Sequence, residues 1–190
     1  MTSLRSQKIV SSPDEELILV DENDQVIGHK NKYECHDVTG SLHRAFSILL
    51  FNTKGEMLLQ KRHANKHLWG EYWSNACCSH PRKGETMEYA TARRLREELG
   101  LQKPIELIYT YKFQYRAEFL DIGSENELCY VYVGIVEEDP QVNETEVCDW
   151  RFISRDDLDK ELSETPELFT PWFKQEWVEV KNKYLDKVLG

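Results

Sequence analysis

The stretch SNACCSHPRKGETMEYATARRLREELGL, residues 74–101, contains the most specific pattern in this chain. Its first part is a short strand candidate that places two adjacent cysteines beside His80. Its second part predicts a helix over residues 86–99, which ends at Gly100 because glycine readily adopts the left-handed conformation of a helix C-cap. A Cys/His strand directly before an acidic, arginine-bearing helix indicates a metal and phosphate site.

The same residues partly match the Nudix box, in which a Gly and a Glu precede the motif Arg-Glu-x-x-Glu-Glu-x-Gly. The matching residues are Glu85, Arg93, Glu97, Glu98 and Gly100. Ser79 replaces the first Gly of the pattern, and Arg94 replaces a Glu. Carboxylates of this helix hold the divalent ions that activate water in Nudix hydrolases, so losing one disfavours hydrolysis but leaves diphosphate binding intact.

Two interpretations of this helix remain open. Arg93 with Glu97 and Arg94 with Glu98 are one turn apart, so each pair is compatible with a plain surface ion pair. Alternatively, Glu98 holds a magnesium ion and the Arg94 guanidinium contacts phosphate oxygens.

Composition favours one globular domain over residues 17–190, preceded by a flexible tail over residues 1–16. No segment has the length or hydropathy of a membrane span or a secretory signal. The five cysteines include no CxxC pair, which favours reduced thiols and a cytoplasmic location. A net charge of −10 disfavours nucleic acid and anionic membranes as partners. A monomer is the expected state, with a homodimer as the alternative.

Hydrophobic periodicity predicts an α+β fold, an α/β/α-like sandwich around a mixed sheet flanked by helices. Strand patterns cover residues 17–21, 25–30, 43–53, 56–63, 73–78, 106–119, 128–137 and 149–153. Helix patterns cover residues 31–37, 86–99, 156–163 and 171–188. The polar segment DIGSEN, residues 121–126, is predicted to be a loop.

Three histidines fall at the ends of predicted elements, near two glutamates spaced at i and i+2. These residues are His36, His43, His80, Glu125 and Glu127. Imidazole nitrogens and carboxylate oxygens suit a divalent metal. Spacing alone is weak evidence, because histidines satisfied by hydrogen bonds in a core are commoner than metal ligands.

Cys78 is two residues from His80, where a nearby cation could make its thiol an acid or base. The alternative is a buried packing residue, as most free cysteines are. In a strand, Cys77 must point to the opposite face from Cys78, so only one of the two can face a given pocket.

The basic residues Lys32, Arg62 and Lys66 lie in segments predicted to rim the same pocket, where they would neutralise a dianionic ligand. Tyr115 and Trp172 are candidate aromatic lining residues, although aromatics at such positions are more often part of a core. An indole face can also stabilise a carbocation.

Seven motifs occur in order along the chain: NKYECH, SLHRAFS, YWSNACCSHP, GET with RRLREELG, FQYRAE, ENELC and FTPW. Together they resemble the type I isopentenyl-diphosphate isomerases, a Nudix-like family, over residues 17–172. The resemblance implies interconversion of isopentenyl and dimethylallyl diphosphate, in isoprenoid biosynthesis, by adding one proton and removing another through a tertiary carbocation. No phosphate bond would break.

The resemblance also implies a role for each candidate residue. The catalytic residues would be Cys78, Glu127, Tyr115 and Trp172. The substrate-binding residues would be Lys32, Arg62, Lys66 and Arg94. One divalent metal (Mn²⁺, Zn²⁺ or Mg²⁺) would be held by His36, His43, His80, Glu125 and Glu127. A Mg²⁺ ion on the diphosphate would be held by Glu98 and the backbone carbonyl of Cys78.

Two other functions compete with isomerisation. A Nudix hydrolase of a nucleoside or other organic diphosphate would use Glu97 and Glu98 for its metal. A catalytically silent binding module would keep the fold without the chemistry. Arg94 counts against the first, and the joint presence of Cys78, Glu127 and Trp172 counts against the second.

Overall fold

The computed structural model describes residues 9–189. The strands are β1 Glu16–Val20, β2 Val26–Asn31, β3 His43–Phe51, β4 Met57–Arg62, β5 Trp73–Asn75, β6 Cys77–Ser79, β7 Leu107–Phe119, β8 Gly123–Ile135 and β9 Val147–Ile153. The helices are α1 Lys32–Cys35, α2 Met87–Leu99, α3 Arg155–Glu164, α4 Pro171–Lys183 and α5 Leu185–Leu189, with a 3-10 turn at Pro166–Leu168. The mixed sheet flanked by helices confirms the predicted fold class.

Strand β3 is the centre of the sheet. It pairs in parallel with β8 from His43↔Glu127 to Phe51↔Ile135, and antiparallel with β6 on its other side. Its hairpin with β4 contributes one pair, Phe51↔Met57, because β4 then diverges to pair with β5 and β9.

Alternation along β3 separates two apolar cores. Ala45, Leu49 and Phe51 pack toward α4, while the intervening Phe46 and Ile48 pack toward α2. A strand buried on both faces reads as a nearly continuous apolar run, and residues 45–51 are apolar except for Ser47. The face toward α4 also carries His43 and Ser47, by the same period of two.

Helix α2 follows its sequence signals. The side-chain oxygen of Thr86 accepts a hydrogen bond from the backbone N–H of Tyr89, which caps the first turn. Gly100 ends the helix with a φ of 66°, where a β-carbon would lie 2.3 Å from the carbonyl oxygen of Gln141.

Three predicted elements differ from the structure. The strand predicted over residues 73–78 is two strands, broken at Ala76. The DIGSEN prediction was wrong from Gly123 onward, since β8 begins there. The terminal helix predicted over residues 171–188 is interrupted at Tyr184.

The predicted tail is only partly described. Its residues 1–8 lie outside the described residues, so flexibility there stays a prediction. Ser11 donates a hydrogen bond to Glu146 at 2.9 Å, and Glu16 already belongs to β1. None of the helices within residues 9–189 has the length and apolar character required to cross a bilayer.

Candidate active site

Five buried side chains form a cluster of potential metal ligands. One ligand atom from each lies within 4.8 Å of all the others. His36 follows α1, His43 begins β3, His80 follows β6, and Glu125 and Glu127 share one face of β8. The parallel register places His43 directly beside Glu127. The structure therefore brings together all five residues that were predicted to share a metal.

Backbone carbonyls orient two of the imidazoles. His36 Nδ1 lies 2.6 Å from the carbonyl oxygen of Lys32, and His43 Nδ1 lies 2.7 Å from that of Ser41. A carbonyl only accepts, so each Nδ1 must carry the proton. In the neutral ring, Nε2 then turns a lone pair toward the carboxylates, which is the orientation of metal-binding histidines.

The cluster leaves polar atoms unsatisfied. His43 Nε2, His80 Nδ1 and Glu125 Oε2 are buried and have no hydrogen-bond partner among residues 9–189. Glu125 Oε2 nevertheless lies 2.8 Å from His36 Nε2, so two electron-rich atoms face each other without hydrogen-bond geometry. Such atoms are costly unless a cation lies between them. The donor set fits a divalent metal.

The pKa shifts of these groups agree with that need for positive charge. Burial alone lowers the pKa of His36, but attraction to Glu125 outweighs burial and raises it. Burial, with repulsion from His43, lowers the pKa of His80 well below its usual value. The carboxylates thus favour positive charge beside His36, whereas burial favours the neutral form of His80 that a ligand nitrogen requires.

We expect purified protein to bind one divalent ion at this cluster, and His43→Ala or His80→Ala to abolish stoichiometric binding. Each variant removes a nitrogen donor and leaves two buried carboxylates underneutralised. Elemental analysis after reconstitution with zinc, manganese or magnesium measures the result. His29→Ala is the matched control, because His29 is exposed on β2. Equal metal content in all four proteins would contradict a shared site.

A second set of contacts surrounds the Cys78 thiol. Its Sγ lies 2.8 Å from Asn75 Oδ1, 2.9 Å from Trp172 Nε1 and 3.3 Å from Ser47 Oγ. Burial, reinforced by the nearby Glu176, raises the pKa of this thiol, so it is protonated in the resting protein. Cys77 instead lies in the core against α2, 3.5 Å from Glu98.

Glu127 links the metal cluster to the cavity. Tyr115 donates its hydroxyl hydrogen to Glu127 Oε2 at 2.7 Å, while His80 Nε2 is 2.8 Å from Oε1. Burial raises the pKa of Glu127, but the nearby His43 and the hydrogen bond from Tyr115 outweigh burial and lower it overall. Burial, with repulsion from Glu127, raises the pKa of Tyr115, which keeps the phenol protonated.

The Trp172 indole lies at the cavity wall with a cation over its face. The Arg62 guanidinium carbon is 5.3 Å from the ring centroid, within cation–π range. Arg62 is held there by the backbone carbonyls of Leu68 and Trp69, each 3.0 Å from a guanidinium nitrogen. The indole π face therefore already contacts one cation.

Many of these groups line one cavity of about 820 Å³. Its described lining includes the thiol, Glu127, Tyr115 and Trp172, together with the basic residues Lys32, Arg62, Lys66 and Arg94. Burial lowers the pKa of Lys32 to about 8, and an anionic ligand beside it would favour the charged form. The predicted catalytic and substrate-binding residues thus share one space.

Glu98 is placed differently from the rest. Its side chain is buried and accepts from Arg94 Nε at 2.8 Å. It is not among the described residues that line the cavity. Arg94 also contacts Glu97 at 3.2 Å, so both glutamates that match the Nudix motif on this helix are paired with its guanidinium. This ion pair is buried, not the surface pair that spacing alone would suggest.

Sequence reasoning missed three buried polar residues. Glu146 forms an ion pair with Lys66 and lies 3.3 Å from Arg94, and these cations lower its pKa to about 2 against the effect of burial. Glu176 lies on the apolar face of α4, where periodicity could have revealed it, and burial raises its pKa to about 8. Asn75 is unusual inside a strand, since asparagine is depleted there.

Comparison with known proteins agrees with this geometry. The family profile described as NUDIX domain matches residues 41–173. The isopentenyl-diphosphate Delta-isomerase 1 of Photorhabdus laumondii is 42% identical over 174 residues, covering 92% of this chain and 99% of that protein. The chain belongs to the isopentenyl-diphosphate isomerase family. Its sequence resemblance and its Nudix fold are confirmed.

Other relatives support the same assignment. The isopentenyl-diphosphate Delta-isomerase of Pectobacterium atrosepticum is 42% identical over 84% of this chain and 87% of that protein. A crystal structure from Deinococcus radiodurans superposes with a TM-score of 0.71 at 18% identity, covering 87% of this chain and 98% of that one. At 18% identity, this likeness shows the shared fold alone.

Proposed function

We propose that this chain interconverts isopentenyl and dimethylallyl diphosphate by transferring protons at two faces of the substrate. The observation that carries the proposal is that one cavity is lined by the Cys78 thiol, by Glu127 hydrogen-bonded to Tyr115, and by the Trp172 indole. An alkene needs a strong acid on one side and a base on the other, with stabilisation of positive charge between them.

Each residue in the cavity has a role in this proposal. Tyr115 and Glu127 form the hydrogen-bonded pair that exchanges one proton, and Cys78 exchanges the other. A proton is added to one carbon of the alkene and a proton is lost from another, so the double bond moves without a net change in composition. Trp172 presents its π face to the tertiary cation formed in between.

The charged residues of the cavity would bind the diphosphate. Lys32, Arg62, Lys66 and Arg94 would contact its oxygens. A magnesium ion on the diphosphate would be held by Glu98 and the Cys78 carbonyl, since magnesium usually relies on substrate phosphates for several ligands. Glu98 would have to give up part of its contact with Arg94.

The divalent metal of the His/Glu cluster would be Mn²⁺, Zn²⁺ or Mg²⁺. It would be held by His36, His43, His80, Glu125 and Glu127. When bound, it supplies positive charge that keeps the buried carboxylates ionised. Glu127 would thereby be positioned with one oxygen toward the metal cluster and the other toward Tyr115.

We expect the protein, incubated with isopentenyl diphosphate and magnesium, to form the allylic isomer without releasing phosphate. Chromatographic separation of the allylic product and a colorimetric phosphate measurement distinguish the two outcomes. Phosphate or monophosphate release without allylic product would favour the hydrolase. Arg94 argues against that alternative, because it replaces one of the helix carboxylates that hold the metal in Nudix hydrolases.

A further inference from the structure

Five side chains, including the Cys78 thiol, form a chain of polar contacts that begins at Thr170, just before α4, and ends at Trp172 within it. Ser74 Oγ lies 2.8 Å from Thr170 Oγ1 and 3.0 Å from Asn75 Oδ1. Asn75 Oδ1 lies 2.8 Å from Cys78 Sγ, which in turn lies 2.9 Å from Trp172 Nε1. Thr170 and Trp172 are joined through Pro171, so the contacts close a ring.

The amide of Asn75 has its orientation set by the backbone. Its Nδ2 lies 3.1 Å from the carbonyl oxygens of both Ile48 and Cys77. Carbonyl oxygens only accept, so the NH₂ group must face them and Oδ1 must face Ser74 and Cys78. These two bonds also bridge the strand break at Ala76, after which Cys78 faces the cavity.

The donor direction follows around the whole ring. An indole N–H can only donate, so Cys78 Sγ accepts from Trp172 and gives its own hydrogen to Asn75 Oδ1. Ser74 also donates to Asn75, which leaves its oxygen to accept from Thr170. Each hydrogen bond in the ring therefore has a defined donor and acceptor. Asn75 Oδ1 accepts from both Ser74 and Cys78.

These groups are far from solvent. Ser74, Asn75 and Thr170 are each 0% exposed, and none is among the described residues that line the cavity. Buried polar side chains are costly unless their partners are complete, so such a ring specifies one arrangement strongly. The Thr170 N–H also donates to the Trp73 carbonyl at 3.0 Å, which fixes the start of α4 on β5.

We propose that Asn75 is a positioning residue for the reaction: it holds the Cys78 thiol and, through Ser74 and Thr170, the Trp172 indole in one geometry. This inference rests on the proposed function. Asn75 touches no substrate in this account. It sets the distance and angle between the thiol and the aromatic face, on which a proton transfer through a cation depends.

Asn75→Ala should lower kcat by about 100-fold while KM changes by less than about threefold, because a small misplacement of reacting groups costs roughly that much and the diphosphate contacts remain. Steady-state assays with isopentenyl diphosphate measure both constants, and thermal unfolding reports whether the variant folds. An unchanged kcat, or a loss confined to KM, would overturn the proposal.

Thr170 allows the same test without removing the amide. Thr170→Val deletes the hydroxyl at nearly constant volume and should lower kcat about tenfold, whereas Thr170→Ser retains the hydroxyl and should stay within about threefold of wild type. Thr165→Val is the matched control, since its hydroxyl bonds the Glu161 carbonyl outside the ring. Equal kcat for Thr170→Val and Thr165→Val would contradict the ring.

Hydrogen exchange of the Trp172 indole N–H tests the geometry without catalysis. We expect exchange at least about tenfold faster in Asn75→Ala and Thr170→Val than in wild type or Thr170→Ser. The indole N–H resonance of Trp172 is assigned by its loss in Trp172→Phe. The Trp177 indole N–H, which donates to Asp159, serves as an internal reference. Unchanged exchange overturns this inference. Absence of allylic product from wild type overturns the proposed function instead, while exchange still decides the ring.

Discussion

Cys78→Ala is expected to abolish isomerisation, while Cys77→Ala leaves most of it. The Cys78 thiol faces the cavity and exchanges hydrogen bonds with Trp172 and Asn75, whereas Cys77 faces the core against α2. The loss should reach at least the ~10² to 10⁴ typical of a general acid or base. Turnover of isopentenyl diphosphate by equal amounts of the two variants is the measurement.

These two neighbours control for each other. Each substitution removes one sulfur atom from a buried strand, so differences in folding cost are small beside the expected difference in rate. Reversed activities would transfer the catalytic role to Cys77. Full activity in both variants would show that no thiol takes part.

An ammonium analogue of the substrate should bind far more tightly than isopentenyl diphosphate. Its permanent positive charge would occupy the position of the tertiary cation beside the Trp172 indole. Because catalysis requires complementarity to the transition state, such analogues gain roughly 10² to 10⁸ in affinity over substrates. Competitive inhibition of isomerisation gives the dissociation constant.

The matched comparison is a neutral isostere that carries the same diphosphate. If both compounds bind equally well, the cationic mechanism is wrong. Trp172→Phe should keep part of the preference for the ammonium compound, because a phenyl face still attracts cations, and Trp172→Leu should lose most of it. Both compounds carry the same diphosphate, so any difference reports the aliphatic end of the ligand.

Local patterns were sufficient for much of the fold. The first hairpin, the helix from Thr86 to Gly100 and the alternation of Cys77 and Cys78 depend on turn chemistry, capping and a period of two, all of which are local. The metal ligands could not be predicted from local patterns alone. Their identification depended on the order of seven motifs, because single spacings could not tell a metal histidine from a core histidine.

The errors occurred where tertiary structure overrides local composition. DIGSEN is polar, yet Gly123, Ser124 and Glu125 are buried in β8 because the metal cluster and the close backbone of His36 face them. A β-carbon on Gly123 would lie 2.2 Å from the His36 carbonyl oxygen. The break at Ala76 depends on Asn75 bonding a strand distant in sequence.

Glu146 could not be found from the sequence. It lies in a polar segment before β9, and nothing local distinguishes it from neighbouring acids. Only the fold places its carboxylate beside Lys66 and Arg94, where two buried cations need a counter-charge. Residues whose role is to balance charges from other elements are identified by contacts and not by pattern.

The parallel pairing of β3 with β8 has a consequence for how the protein is made. His43 is synthesised well before its partner Glu127, so the metal cluster cannot assemble until residue 127 has left the ribosome. Parallel pairing between distant segments is slow, since loop-closure entropy is lost before contacts compensate. Trp172 arrives later still. A nascent chain therefore completes its ligand set before the helix that closes the cavity exists.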